Sequence, residues 1–168
     1  HVSRPGAAHR QPRNSSTVSA FSPHLPAAMV VTDVSRLPLL IAVTIGPADA
    51  ESTEAAQVVW RDLLQAGTPF AALQVYVDQE ATQQIGSMGD VASWLAAQPT
   101  GSVQAWGIAR VVLERQGTAP ASRPTAPPVP LRDFPDILCA LRWLQAEALS
   151  PRGHALSLEG TASAIAGL

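Results

Sequence analysis

The feature that most constrains the fold is a near-continuous apolar run, Leu39–Ile45, with the sequence LLIAVTI. The run has the length of a strand, is rich in β-branched residues and does not alternate with polar residues. This pattern is typical of a strand that is covered on both faces. Gly46 and Pro47 end it, and residues 70–77 form a second run of the same kind. Two such strands predict a sheet with helical cover.

Helical patterns alternate with these strands. After Pro47, either Asp49 or Ser52 can cap a helix, and Gly67 is placed to end it. Its predicted core stripe is Ala56, Val59, Leu63 and Ala66, widened by Trp60 and Leu64. Residues 30–36 are expected to form either a short leading strand or an extended lead-in, and 106–113 and 129–134 are further predicted strands. The further predicted helices are 90–97 and 135–149, the last beginning at Pro135. Arg110, in the middle of a predicted strand, implies an edge position, a strand end or a paired side chain.

The order of these elements predicts one small α/β domain. Strands that alternate with helices favour a mostly parallel sheet, here of four to five strands, with about three helices. The domain is expected to span residues 29–149, and Pro130 restricts the last strand to an edge or a strand start.

Three segments have neither a helical nor a strand period. Residues 1–28 contain four prolines, three arginines and no acidic residue, and are expected to be a disordered leader. A targeting role is the alternative, and Met29 is a candidate start. A mobile Pro-rich loop is predicted for residues 116–128 and a loose tail for residues 150–168.

Composition narrows the function classes. The net charge is −2 and only 14% of residues are charged, which argues against a nucleic-acid-binding surface. No apolar run is long enough to span a membrane, so a soluble, cytoplasmic protein is expected. The single cysteine, Cys139, excludes an intrachain disulfide and is expected to be a small buried hydrophobe.

The positions of the histidines in the sequence indicate that the protein is not an enzyme. His1, His9 and His24 lie in the leader and His154 lies in the tail, so none falls in the predicted core. A Ser-His-Asp or Cys-His arrangement is therefore not expected. No cofactor is expected either, because the Gly86–Gly89 turn lacks the lysine and the glycine spacing of a phosphate-binding loop.

Several motifs resemble the STAS domains, the family of anti-sigma-factor antagonists. Ile45-Gly46-Pro47-Ala48-Asp49 before a capped helix resembles their opening, where a strand runs into Gly-x-x-Asp and the first helix. In that family a strand ending in Asp precedes a loop of about seven residues and Ile-Asp-Ser-Ser-Gly. Here Asp78 is followed at that spacing by Ile85-Gly86-Ser87-Met88-Gly89. The segment VPLRDFPDILCALRWL is similar to the last strand and helix of STAS and SpoIIAA-like proteins.

The resemblance covers residues 37–149 and implies a regulatory module. In the antagonist family the serine after the aspartate is phosphorylated by a partner kinase, and that role falls on Ser87. Gly86 stands where the family has its aspartate, and Met88 stands where it has its second serine.

Side chains of the segment 78–90 allow several interpretations. A phosphate on Ser87 would suit the N–H groups at a helix N-terminus, although Ser87 or Asp90 is more simply explained as the N-cap. Asp78, Glu80 and Asp90 could act in acid–base chemistry or bind a hard metal, but three acids without a nearby histidine are more typical of a solvated loop.

The four tryptophans are expected in the core or at its rim. Two of them exposed together would mark a partner surface.

The function that these observations favour is binding of another protein, including a second copy of the chain. The partner is expected to contact the segment 78–90 and the following helix. The candidate residues are Asp78, Ile85, Ser87, Met88 and Asp90. Two alternatives remain open, namely a small-molecule or lipid-binding domain, with or without weak hydrolytic activity, and an accessory subunit of a larger assembly. No nucleic acid is expected as a partner.

Overall fold

The computed structural model describes residues 29–99, 104–113 and 129–168. The predicted leader and the Pro-rich loop lie outside the described residues. The strands are β1 Met29–Asp33, β2 Leu39–Ile45, β3 Phe70–Tyr76, β4 Ala105–Val112 and β5 Leu131–Phe134. The α-helices are α1 Ala50–Gln65, α2 Gln79–Thr82, α3 Val91–Ala96, α4 Ile137–Leu144 and α5 Leu158–Ala166. A π-helical turn, Gln145–Leu149, and a 3-10 turn, Ser150–Arg152, follow α4.

The five strands form one sheet in the order β1-β2-β3-β4-β5. β1 is antiparallel to β2, and the other neighbouring pairs are parallel. This confirms the α/β class and the mostly parallel sheet, and it places β5 at an edge. The expected number of about three helices is too low, because α2 forms inside the predicted loop and α5 inside the predicted tail.

The buried strands divide their side chains between two helical layers. Because successive side chains of a strand point to opposite faces, odd-numbered residues such as Leu73 pack under α4 and α5, while even-numbered ones such as Ala72 pack under α1 and α3. β2 and β3 are apolar along their whole length because both of their faces are covered.

Local signals in the sequence explain where α1 begins and ends. Asp49 is its N-cap and accepts a hydrogen bond from the backbone N–H of Ser52 at 2.7 Å. Gly67 follows its C-terminus with a φ of 62°, a left-handed conformation that glycine adopts at low cost. The buried residues of α1 are Ala56, Trp60 and Leu63, so the predicted stripe is wrong at Ala66, which is exposed.

Two predictions about α4 are wrong. Its N-cap is Asp136, which accepts from the N–H of Cys139 at 2.8 Å, so Pro135 precedes the helix instead of opening it. Cys139 is exposed, because the buried stripe runs through Ala140, Leu141 and Leu144 and leaves it on the outer side.

The expected loose tail contains an ordered helix. Ser157 caps α5, and its Thr161 and Ile165, which lie one turn apart, are buried against the rest of the fold. Gln145 orders the connection from α4, because its Nε2 donates to Ser150 Oγ and to His154 O and its Oε1 accepts from Leu156 N–H. No helix among the described residues is long and apolar enough to cross a membrane.

The tryptophans differ in their burial. Trp60 and Trp94 are buried between the sheet and the α1–α3 layer, with ring centroids 5.5 Å apart in an edge-on arrangement. Trp106 and Trp143 are half-buried at the rim of the other layer. The expectation of core or rim positions is confirmed.

Candidate functional site

The candidate residues lie at the edge of the sheet where β2, β3, β4 and β5 end, called here the carboxyl edge. Val77 N–H donates to Thr44 O at 3.0 Å, and Leu113 N–H donates to Tyr76 O at 3.0 Å, so these strands end side by side. Residues 78–90, called here the β3–α3 segment, continue from this edge into α3.

Asp78 joins two neighbouring connections at the carboxyl edge. Its Oδ1 accepts from Ala81 N–H at 2.7 Å and caps α2, while its Oδ2 accepts from Gly46 N–H at 2.9 Å. Gly46 has a φ of 61°, so the chain turns there in a conformation that favours glycine. Both carboxylate oxygens are therefore occupied inside the protein, and Asp78 is half-buried.

Asp90 is buried, with 1% of its surface exposed, so the expectation of a solvated acid is wrong. Its Oδ1 accepts from the hydroxyl of Tyr76 at 3.1 Å and from Ala92 N–H at 3.4 Å. Its Oδ2 accepts from Ser93 Oγ at 2.9 Å and from Gly86 N–H at 3.2 Å. The carboxylate of Asp90 thus caps α3, holds the preceding turn and accepts a hydrogen bond from the buried hydroxyl of Tyr76, the only tyrosine in the sequence.

Ser87 lies before the helix, not in its first turn. α3 begins at Val91, and its capping interaction is made by Asp90. The hydroxyl of Ser87 donates to Gln84 Oε1 at 3.2 Å and accepts from Gly89 N–H at 3.2 Å. The open helix N-terminus expected beside Ser87 is therefore already occupied by the carboxylate of Asp90.

Met88 is the most exposed apolar side chain of the β3–α3 segment, with 48% of its surface exposed. Its backbone oxygen accepts from Gln57 Nε2 on α1 at 2.8 Å. A Cβ added at Gly89 would lie 3.5 Å from Thr53 Oγ1, so the segment also packs closely against α1 there. Ile85 is half-buried.

The helix that follows the segment uses its apolar residues internally. The buried residues of α3 are Val91, Ala92, Trp94 and Leu95. Ala96 and Ala97 are its exposed residues at the far end. The neighbouring helix that offers exposed surface beside Met88 is α1. It carries Gln57, which bonds to the backbone oxygen of Met88, and Val58, which is exposed.

Sequence reasoning missed a row of polar side chains across three strands. Gln74, Arg110 and Asp133 are in register on β3, β4 and β5, on the face covered by α1 and α3. Arg110 Nε and Nη2 donate to the two carboxylate oxygens of Asp133 at 2.7 and 3.0 Å. Gln74 Nε2 donates to the Tyr76 hydroxyl at 3.3 Å. The only signal in the sequence was a polar residue inside each strand.

Gln74 also has a polar atom without a partner. Its side chain is 2% exposed, and within the described part of the chain its Oε1 receives no hydrogen bond. An unpaired buried acceptor costs about 1–3 kcal/mol. The unpaired Oε1 of Gln74 therefore offsets part of the stability that the other polar contacts of the α1–α3 face contribute.

The electrostatics of this region fix the charge states of Tyr76 and Arg110 at neutral pH. Burial, reinforced by the negative charge of Asp90 and the hydrogen bond to it, raises the pKa of Tyr76 well above its ordinary value of 10.0. Burial lowers the pKa of Arg110, but the hydrogen bond and the charge of Asp133 outweigh this and the net pKa is raised. Tyr76 therefore stays a neutral donor and Arg110 stays a cation at neutral pH.

Cys139 is exposed but poorly suited to act as a nucleophile. Its hydrogen bond to Asp136 raises the pKa of the thiol above its ordinary value of 9.0, so little thiolate forms at neutral pH. Within residues 29–99, 104–113 and 129–168, no group of three or more His, Cys, Asp or Glu side chains is arranged to hold a metal ion.

The fold and site together define an α/β protein with a hydrogen-bonded connection at its carboxyl edge. A comparison of the chain with family models, with the sequences of characterised proteins and with solved structures gave no match.

Proposed function

We propose that this protein is a non-enzymatic interaction module of a regulatory type, and that it binds another protein through the β3–α3 segment. The observation that carries the proposal is the 48% exposure of Met88 in a connection whose backbone is held on both sides. An apolar side chain in a segment that is already ordered loses little further conformational freedom on binding.

The hydrogen bonds of the segment supply this order. Asp78 holds its start to Gly46, Gln57 holds its centre to α1, and Asp90 holds its end to β3 and α3. These contacts reach the turn at Gly46, helices α1 and α3 and strand β3, so the segment that carries Met88 is held from several sides. A segment that is ordered before binding loses less conformational freedom on binding than a loop that must first be ordered.

The exposed Met88 beside Ser87 favours a protein partner over a ligand enclosed by the core. The partner surface that we propose includes the outer face of α1 as well as the segment, because α3 buries most of its own apolar residues. A second copy of the chain is one such partner.

We propose further that the domain is STAS-like. The proposal is supported by three positions that carry the resemblance: Asp49 and Asp136 cap the helices that follow β2 and β5, and Asp78 caps α2 shortly after β3. In this version of the proposal Ser87 is a phosphorylation site, and its half-buried hydroxyl would have to leave Gln84 and Gly89 to accept a phosphate.

Replacement of Met88 by serine tests the interaction. Because Met88 is exposed, M88S is expected to fold with unchanged stability and to lose the proteins that the wild-type chain retains in quantitative affinity capture from its host. The matched control is L138S, which changes an exposed leucine on α4 (40% exposed) and is expected to retain them. Equal retention by M88S and wild type would contradict the proposal. Sedimentation of both variants reports whether the partner is a second copy.

The phosphorylation version has a separate test. S87D and S87A are compared in the same capture experiment, and mass spectrometry of the native protein reports any phosphate on Ser87. Different retention by the two variants is expected if a negative charge switches binding. Identical retention would remove the switch but leave the Met88 surface untouched.

A further inference from the structure

We infer that the partner's binding element is a basic segment with an apolar anchor residue. This inference rests on the proposed function, because it names the chemistry of the partner that contacts Met88. It is carried by the charges around Met88 and by the apolar residue that lies next to its contact on α1.

The surface around Met88 carries more negative than positive charge. Glu51 and Glu54 are exposed on the first turns of α1, and Glu80 is exposed on α2. Neither of the two ion pairs found within the described residues involves these three glutamates. Residues 46–60 and 77–99 contain no arginine, lysine or histidine, and the exposed Arg61 that follows on α1 is next to an exposed acid, Asp62.

The acidic residues border an apolar centre. Gln57 bonds to Met88 O at 2.8 Å, and Thr53 lies against Gly89, so the first turns of α1 are directly beside the segment. Val58, next to Gln57, is 43% exposed. Met88 and Val58 thus offer apolar surface next to carboxylates that have no partner charge of their own in the described structure.

Arginine or lysine side chains on the partner would complement these carboxylates. Two other acids of the region are already occupied, since Asp49 caps α1 and Asp78 bonds Gly46 and Ala81. Charge complementarity chiefly accelerates association and selects among partners, while the apolar anchor supplies affinity. A neutral or acidic partner would leave Glu51, Glu54 and Glu80 facing no opposite charge.

The chain itself contains a competing basic segment. Residues 1–28 hold three arginines and no acid. Met29, the first described residue, pairs with Ile45, so the described part of the chain begins at the carboxyl edge. An experiment must therefore separate an external partner from the chain's own N-terminal residues.

Peptide binding to the full chain tests the inference. The probe is a synthetic helix-forming peptide with leucine and arginine at helical spacing, and the comparison peptides replace its arginines by glutamate or its leucines by serine. Fluorescence anisotropy is expected to detect binding of the first peptide alone. Raising the salt from about 50 to 300 mM should weaken that binding, because exposed charges are screened.

Variants locate the contact. The triple variant E51Q/E54Q/E80Q is expected to weaken binding by about tenfold, as lost exposed ion pairs of this number imply, and to flatten its salt dependence. The control E147Q/E159Q removes two exposed carboxylates of the π-helical turn and α5, and should leave binding unchanged. Chemical shifts of Gly89 and Gln57 should move with the first peptide.

The outcomes distinguish the inference from the proposed function. Equal binding by the triple variant and its control, or no binding of the arginine peptide, overturns the basic partner. The affinity-capture experiment with M88S then still decides whether Met88 belongs to a partner surface. Finally, if replacement of Arg4, Arg10 and Arg13 by serine shifts Gly89 and tightens peptide binding, the chain's own N-terminal segment is the occupant and the external partner is overturned.

Discussion

The two faces of the sheet solve the same packing problem with different side chains. Toward α4 and α5, the buried residues of the strands are all apolar, such as Leu73 and Val111. Toward α1 and α3, they begin with apolar residues and become polar toward the carboxyl edge, at Thr44, Gln74 and Arg110. Buried polar groups contribute less stability than apolar ones of similar size. The first face therefore stabilises the fold, whereas the polar end of the second supports the β3–α3 segment.

The largest expected effect tests the apolar face. L73A removes a fully buried side chain from the layer under α4 and should lower the free energy of unfolding by about 3–4 kcal/mol, from lost burial and the remaining cavity. Urea denaturation measures the change. A loss below about 1 kcal/mol would show that this face is loosely packed.

Asp90 is expected to be the most important single residue of the polar region. D90A removes the cap of α3 and leaves the Tyr76 hydroxyl buried without its acceptor. The expected loss of unfolding free energy is about 2–3 kcal/mol. D90N keeps one acceptor oxygen and should lose about half as much in the same denaturation experiment. Equal losses for both variants would show that the charge, not the geometry, matters.

Tyr76 makes the stability of this region depend on alkaline pH. Because its pKa is raised in the folded state, the folded chain holds the phenolic proton where the unfolded chain has lost it. Stability is therefore unaffected below the unfolded pKa of about 10 and falls above it by up to about 1.4 kcal/mol per pH unit.

The titration of Tyr76 can be followed directly, since it is the only tyrosine. Tyrosinate absorbance should appear only together with the loss of circular dichroism, as the chain unfolds. Ionisation near its ordinary pKa in a chain that is still folded would contradict the burial of the hydroxyl.

The Arg110–Asp133 pair should contribute a smaller amount. Arg110 is buried, but the Asp133 side chain is 48% exposed, so solvent screens the interaction. A double-mutant cycle with R110L and D133A is expected to give a coupling energy of about 1 kcal/mol, reduced by added salt. A coupling energy near zero would make the pair incidental to the sheet.

The smallest effect distinguishes Gln74 from its neighbour Leu73. Q74L places an apolar side chain of similar size where Gln74 Oε1 has no partner, and should change the unfolding free energy by less than about 1 kcal/mol in either direction. Two adjacent residues of one strand would then differ several-fold in their effects. A loss comparable to that of L73A would show that the Gln74–Tyr76 hydrogen bond is essential.

The sequence predicts the elements of this fold better than it predicts the environments of their side chains. β2 was recognised because a strand that is buried on both faces leaves a continuous apolar run. α5 was missed because Gly160 and several small residues obscure its period, and its helix is completed by packing of Thr161 and Ile165.

For the candidate site, too, the sequence indicates the residues but not the environments of their side chains. Asp78, Ser87 and Asp90 were selected from their positions in a connection, but the burial of Asp90 depends on the Tyr76 hydroxyl, which meets it only in three dimensions. Arg110 left three interpretations open. The partner Asp133 is 23 residues away and becomes identifiable only when the order and register of β4 and β5 are known.

The strand order has a consequence for how the chain folds. Each strand pairs with the one that precedes it in the chain, so no later strand has to be inserted between two earlier ones. Asp133 lies on β5, the last strand in the chain, so the guanidinium of Arg110 has its carboxylate partner only when the sheet is complete.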